Sequence, residues 1–311
     1  MRQKDSSQQN REPSRVAGVH LSHPNRILYP EQGISKRQLA LFYEGMADWI
    51  LPHVVDRPIS LVRCPGGRQS KCFFQRNFTE SLPDHVAGID IQEKGGEPAT
   101  YIAIKDLPGL IALVQIGVLE IHPWGSKIAR LERPDRLVFD LDPGPDITWE
   151  RVKTAAELVR QRMASLGLTS FLKTSGGKGL HVVAPLMRRS TWEELEDFAE
   201  ALAKDIARER SDEYVAKASK AARKGKIFID YLRNHRGATS IAPYSTRARP
   251  GAPVSTPLGW GELASLESSA AYTIENLSDR LSALQEDPWA RFFELRQSIT
   301  KKMMADVKRN S

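Results

Sequence analysis

Three aspartates in this chain are placed for metal chemistry. Asp140 and Asp142 lie two apart in the apolar run RLVFDLD (136–142), and Asp230 closes a second apolar run within KIFIDY (226–231). Side chains two apart on a strand point to one face, so the Asp140 and Asp142 carboxylates reach the same volume. Pro143 and Gly144 then turn the chain away. Carboxylates this close repel one another, and a hard divalent cation, Mg2+ or Mn2+, is the usual remedy. With Asp230 as a third ligand, such a set can hold two ions roughly 3.5–4 Å apart, which activate a hydroxyl and stabilise a departing phosphate in an in-line displacement. The plain alternative is a turn with solvated acids.

The segment TSGGKGLH (174–181) falls between two predicted strands. Its three glycines let backbone N–H groups converge on an anion. Ser175 adds a hydroxyl, Lys178 a charge and His181 a ring donor, which together make a candidate triphosphate cradle. The Gly-Lys-Ser/Thr ending of a nucleotide P-loop is absent, and a strand follows where the P-loop and dinucleotide motifs require a helix. Arg233, Arg236, Arg247 and Arg249 lie in or beside the loop after Asp230. Guanidinium forks match phosphate oxygens in pairs, so at least one of these arginines is expected on phosphate.

Phe73 and Phe74 sit between Lys71 and Arg76, a pattern that can stack bases while cations hold phosphate. Strand alternation sends one of the two rings to the core and leaves the other for stacking. His122, in EIHPWG (120–125), follows an apolar helix and by itself reads as a structural histidine. Arg26, Lys36, Arg63 and Lys71 are scattered basic residues of an N-terminal lobe. Cys64 and Cys72 are too few for a disulfide framework or a four-ligand zinc site, so reduced thiols in a cytoplasm are the default.

The elements that must position these groups alternate between strand and helix. Ser35 opens a helix with apolar positions Leu39, Phe42, Tyr43, Met46 and Ile50, ended by Pro52. Residues 59–63 and 71–75 read as a hairpin across Pro65-Gly66-Gly67, and 101–104 as a short strand. Asp106 caps a helix expected to run to about residue 119. Strands follow at 136–142, 171–174, 180–184 and 226–231. Helices fall at 148–166 and from Thr191, where Thr-Trp-Glu-Glu fits a capping box. Two short helices close the chain. The class is α/β (α+β), with mixed and antiparallel sheets flanked by helices in two lobes. Residues 1–18 read as a polar, disordered leader, 19–295 as the catalytic domain and 296–311 as a C-terminal helix or tail.

The chain has 311 residues, 45 Lys and Arg against 38 Asp and Glu, and a net charge of +7, which suits a polyanionic partner. No apolar run approaches the roughly 18 residues needed to span a bilayer, so no membrane partner is expected. The longest, at 107–121, is broken by Gly109, Gln115, Gly117 and Glu120. The first fifteen residues contain no apolar segment of the secretory kind.

The segments VFDLDPGP (138–145), KTSGGKGLHV (173–182), IFIDYLRN (227–234) and LEIHPWGS (119–126) resemble, in order, the polymerase domain of bacterial ligase D, of the archaeo-eukaryotic primase superfamily. NRILYP (25–30) and KCFFQ (71–75) match it as well. The resemblance covers roughly residues 20–295. It implies a template-dependent nucleotidyltransferase that adds ribo- or deoxynucleotides to DNA 3′ ends and fills gaps in bacterial non-homologous end joining. Asp140 and Asp142 resemble the acids that bridge two Mn2+ or Mg2+ ions, and Asp230 the third. Ser175, Lys178 and His181 resemble triphosphate contacts, and Arg233 and Arg247 basic residues about the nucleotide. Phe74, with Phe73, resembles the platform under a base, and His122 a functional histidine beside the site. Arg26, Lys36, Arg63 and Lys71 fall where the family builds a pocket for a downstream 5′-phosphate. The implied partners are DNA ends with a template strand, nucleoside triphosphates, a Ku-type end-binder and a ligase, at a nucleoid-associated, cytoplasmic location.

Two rivals use the same residues. A haloacid dehalogenase-type phosphatase also carries Asp-x-Asp at a strand end, but needs a downstream acid pair where only Asp230 stands. A non-catalytic DNA-end-binding module would keep the phosphate contacts and be indifferent to metal removal.

Overall fold

The computed structural model describes residues 14–93 and 95–310. Most of the expected leader, residues 1–13, lies outside them, while its last residues form part of a small hairpin, β1 (Arg15–Val16) and β2 (Val19–His20). A second hairpin follows, β3 (Ile27–Tyr29) and β4 (Ile34–Ser35).

Ser35 then caps α1 (Lys36–Gly45) through a reciprocal box: its hydroxyl accepts from the Gln38 N–H while the Gln38 side chain accepts from the Ser35 N–H. The helix breaks at Met46, and α2 (Ala47–Val54) carries Pro52 inside its last turn, where the sequence expected one helix ended by that proline. Leu39, Phe42, Tyr43, Met46 and Ile50 are all buried, as their spacing predicts.

The N-terminal sheet holds β5 (Ile59–Arg63), β6 (Phe73–Gln75), β7 (Ala87–Gln92) and β8 (Pro98–Ala103). Asp106 accepts from the Gly109 N–H and so caps α3 (Leu107–Gln115). The apolar run does not continue as helix to 119. Gly117 turns at φ +80°, with Pro65 packed where a Cβ would stand, and the chain re-enters the sheet as β9 (Val118–Pro123) beside β5. His122 therefore sits on a strand and not after a helix.

The second lobe is a six-stranded sheet ordered β13-β14-β10-β12-β11-β15. Its members are β10 (Arg136–Pro143), β11 (Phe171–Thr174), β12 (Leu180–Pro185), β13 (Tyr214–Val215), β14 (Ile227–Asp230) and β15 (Pro257–Leu258). All pairs are antiparallel except β13 with β14. Helices α4 (Trp149–Ser165) and α5 (Trp192–Glu209) cover one face, burying Leu137, Phe139 and Leu141. Thr191 caps α5 with the expected box. On the other face, Val138 packs with Phe171, Val183, Trp289 and Phe292. The alternation along β10 thus hands Asp140 and Asp142 to the face opposite α4 and α5.

The chain then returns to the first lobe: Tyr244, Ala252 and Val254, with Leu277 and Leu281 of α6 (Leu277–Ala283), join the core under α1 and α3. Val307 of α7 (Lys301–Asn310) packs into the core between α4 and α5. Among the described residues, no helix is long and apolar enough to cross a membrane.

Candidate active site

Strand register builds the site. Asp230 of β14 lies directly opposite Asp140 of β10, which lies opposite His181 of β12, which lies opposite Lys173 of β11. Four polar groups from four strands form one row across the sheet. His181 Nε2 is 3.3 Å from Asp140 Oδ1. Arg233, in the turn just after β14, reaches back so that Nε is 3.4 Å from Asp140 Oδ2 and Nη2 is 2.9 Å from Asp230 Oδ2. Asn234 fixes that turn by donating to the Val138 carbonyl and accepting from the Val138 N–H. Asp142 accepts from Arg223 Nη1 at 2.6 Å.

Burial and charge act on these acids in opposite directions. Burial alone would raise the Asp140 pKa, but His181, Arg233 and Lys173 hold it well below the usual carboxylate range. Asp142 and Asp230 are both pushed up, by burial first and by the charge on Asp140. His181 is pushed down to about 4 by burial and by Lys173, so its ring is neutral near pH 7. Buried Lys173 donates to Ser255 Oγ at 2.7 Å and is pushed well down by burial. Among the described residues, no three His, Cys, Asp or Glu side chains converge as a ready metal cage. Arg223 and Arg233 take up the carboxylates instead.

Asp140 and His181 of the row border a cavity of about 230 Å³, lined also by His122, Asp142, Ser175, Lys178, Arg233 and Arg247, with Thr239, Ser240 and Arg249; Asp230 and Lys173 stand outside that lining. The glycine turn closes one side. Ser175 Oγ accepts from the Gly177 and Gly179 N–H groups, and Arg247 Nη1 donates to the Ser175 carbonyl at 2.6 Å. Two of the expected N–H donors are thus spent on Ser175. A Cβ on Gly179 would collide with the Leu141 carbonyl, which is why the turn and β10 can lie so close. Lys178 is exposed at the rim.

Glu120 and Lys173 were not singled out from the sequence. Glu120 is buried on β9, 2.9 Å from His122 Nε2 and 3.1 Å from Arg247 Nε, and accepts from the Ala248 N–H. It comes near Arg247 because 242–246 run beside β9, through the Ala242 N–H to the Ile121 carbonyl and Thr246 Oγ1 to the Leu119 carbonyl. Burial opposes ionisation, yet His122 and Arg247 draw the Glu120 pKa down to about 2. The available signal was parity: Glu120 and His122 are two apart, as Asp140 and Asp142 are.

Phe73 and Phe74 are both exposed, at 42% and 58%, so neither ring is a core residue as strand alternation had suggested. Among the described residues β6 pairs with β5 alone, and none forms a layer over it there. The Phe74 ring stands 6.3 Å from that of His122, and Arg63 lies over Phe73. Arg236 turns away to Glu132, outside the cavity. Cys64 and Cys72 are joined as a disulfide, since the β5–β6 hairpin brings their Cα atoms to 4.3 Å; the sequence expectation was free thiols.

The four basic residues of the first lobe divide. Arg26 and Lys71 are exposed, and Arg26 Nη1 donates to the Pro65 carbonyl. Arg63 donates to the Ile116 carbonyl and to Gln75. Lys36 is buried, its ammonium donating to the Ser22 carbonyl and to the backbone and side-chain oxygens of Gln115. An ammonium has three donors, so Lys36 braces this corner and has none left for a ligand.

Residues 35–289 match the family model described as the LigD primase-polymerase domain. The multifunctional non-homologous end joining protein LigD of Pseudomonas aeruginosa is 42% identical over 295 residues, covering 94% of this chain and 35% of that protein. The LigD protein of Mycolicibacterium smegmatis is 32% identical, over 81% of this chain and 33% of its own length. The chain thus spans about a third of the length of these relatives. The polymerase domain from Mycobacterium tuberculosis ligase D, solved in complex with DNA, superposes with a TM-score of 0.81 at 28% identity, over 88% of this chain and 97% of that one. The mixed α/β fold, the cross-strand pairing of Asp140 with Asp230 and the match over most of the chain agree: the protein belongs to the LigD primase-polymerase domain family.

Proposed function

We propose that the chain is a template-dependent nucleotidyltransferase that adds nucleotides to DNA 3′ ends and fills gaps during end joining. The observation that carries this reading is the Asp230–Asp140–His181 row set beside a cavity rimmed by Lys178, Arg247 and Arg249. Carboxylates on one side and phosphate-type donors on the other are what a nucleoside triphosphate and a primer hydroxyl require. Donor chemistry tests the fit of the cofactor: three carboxylates supply hard oxygens, and the charged forms of two of them are destabilised by burial and by the charge on the third. Asp140, Asp142 and Asp230 would hold two Mn2+ or Mg2+ ions, which supply Lewis acidity toward the primer hydroxyl and the leaving pyrophosphate.

The remaining roles belong to the chain's own groups. Neutral His181 donates to Asp140 and keeps that carboxylate aimed into the cavity. Arg247, held by Glu120 and the Ser175 carbonyl, presents a fixed cation to the triphosphate, and Lys178 an adjustable one. Ser175 shapes the turn around those phosphates. Arg233 balances Asp140 and Asp230 until the cations arrive. Phe74, beside His122, is the platform for a base, with Phe73 next to it under Arg63. Arg26, Arg63 and Lys71 receive a downstream 5′-phosphate over the floor that Lys36 braces. A template strand, a Ku-type end-binder and a ligase are the partners this reading implies.

The test is a gapped duplex bearing a 5′-phosphate, offered each nucleotide with and without Mn2+. Extension of the primer only with divalent cation is expected. Phosphate release without extension would favour a phosphatase, and duplex binding without extension a docking module.

A further inference from the structure

A second basic cavity, of about 390 Å³, opens at the other end of β10. Six cations line it: Lys127, Arg130, Arg136, Arg188, Arg189 and Arg296. The carboxylate in its lining, Asp135, is already engaged, accepting from Arg57 Nη1 and Nη2 at 2.9 and 2.5 Å and from Arg136 Nε at 3.0 Å. Among the described residues, Arg130, Arg188, Arg189 and Arg296 have no ion-pair partner, whereas Arg68, Arg162, Arg210, Arg236 and Arg280 each have one. Arg136 is 6% exposed, and its Nη2 has no hydrogen-bond partner. Gathering so many like charges in one concavity is unfavourable without an anion to share them.

An aromatic ring accompanies the charge. Phe293, 48% exposed, lines the same cavity beside the buried Phe292. Cations that hold phosphates next to an open ring that can stack a base are the two parts of a single-strand site. Arg136 and Asp140 lie on the same face of β10, four residues and so about 13 Å apart. Val138 and its aromatic neighbours fill the space between them.

We infer that this cavity binds an unpaired stretch of nucleic acid, its phosphates on Arg188, Arg189 and Arg296 and one base on Phe293, a few nucleotides from the catalytic acids. The anion site stands on its own geometry; its assignment to a polynucleotide rests on the function proposed above. Arg188 and Arg296 are exposed and outside the catalytic cavity, so Arg188→Glu with Arg296→Glu leaves that cavity untouched. The measurement is fluorescence anisotropy of a labelled oligothymidylate of about 20 nucleotides, at 50–200 mM salt, without nucleotide or metal. Loss of two single-strand phosphate contacts flattens the salt slope by about 1.4, at roughly 0.7 per contact, and the Kd at 50 mM salt is expected to rise about tenfold. The control, Lys204→Glu with Arg208→Glu, makes the same charge change on α5 and is expected to weaken binding much less.

An unchanged Kd and slope, or an equal loss in the control, overturns the site. Calorimetry with inorganic pyrophosphate supplies the other arm: pyrophosphate binding lost in the variant while oligonucleotide binding stands would overturn the strand assignment. Because no extension is measured, failure here leaves the catalytic reading intact. Failure of extension in turn leaves this test readable.

Discussion

Asp140→Ala is expected to lower primer extension by at least about a thousandfold, on the order of 4 kcal/mol of lost transition-state stabilisation. Asp140 is an inner member of the row. It is opposite Asp230 on one side and His181 on the other, and after burial its charge is what raises both other acids. No other carboxylate can replace it from that position. The backbone ladder to β12 and β14 does not involve its side chain, and Arg233 keeps Asp230 as a partner, so the fold should survive. Single-turnover extension of a primed template, read beside a urea melt, separates the two effects. A variant that extends at near wild-type rate contradicts the assignment. One that loses extension only because it unfolds contradicts the expectation that the fold survives.

The second large effect concerns stability and lies away from the chemistry. Asp135→Ala should destabilise the protein by about 3–5 kcal/mol, the usual cost of stranding a buried charge. Here two charges are stranded. Arg57 is 1% exposed and takes both Asp135 oxygens, while Arg136 uses one of them through Nε. Burial opposes the Asp135 charge, but the two guanidinium groups hold its pKa well below the ordinary range. A carboxyl with a depressed folded pKa stabilises above its unfolded value and loses that contribution as pH falls below it. The wild-type stability should therefore decline below about pH 3.9 partly through Asp135, and the variant should lack that part. A urea midpoint shifted with an unchanged slope would be the signature. A shift equivalent to less than about 1 kcal/mol, ordinary for an exposed pair, would mean the cluster is wetter than it stands here.

Much of this was legible from residue spacing alone. Period-two alternation in RLVFDLD put Asp140 and Asp142 on one face, and the structure buries Leu137, Phe139 and Leu141 on the other. Caps at Ser35, Asp106 and Thr191 follow from local hydrogen bonding, which sequence reports directly. What escaped was long-range register. Lys173 joins the row only because β11 pairs with β12 at that residue, and Glu120 meets Arg247 only because the far-off loop 242–246 runs beside β9. The apolar run at 107–121 looked like one helix because helix and buried strand share composition. Gly117 was the break. Phe73 and Phe74 defied alternation because, among the described residues, no layer covers either face of β6 there. The disulfide depended on hairpin closure and not on cysteine count.

Asp140, Asp142 and Asp230 together are expected to hold divalent cations against a nucleotide. Crystals grown with Mn2+ and a non-hydrolysable nucleoside triphosphate test it through manganese anomalous scattering. Two peaks are expected roughly 3.5–4 Å apart, within bonding distance of these carboxylates, with Arg223 displaced from Asp142. Nucleotide bound in the cavity with no manganese at the three aspartates would contradict it.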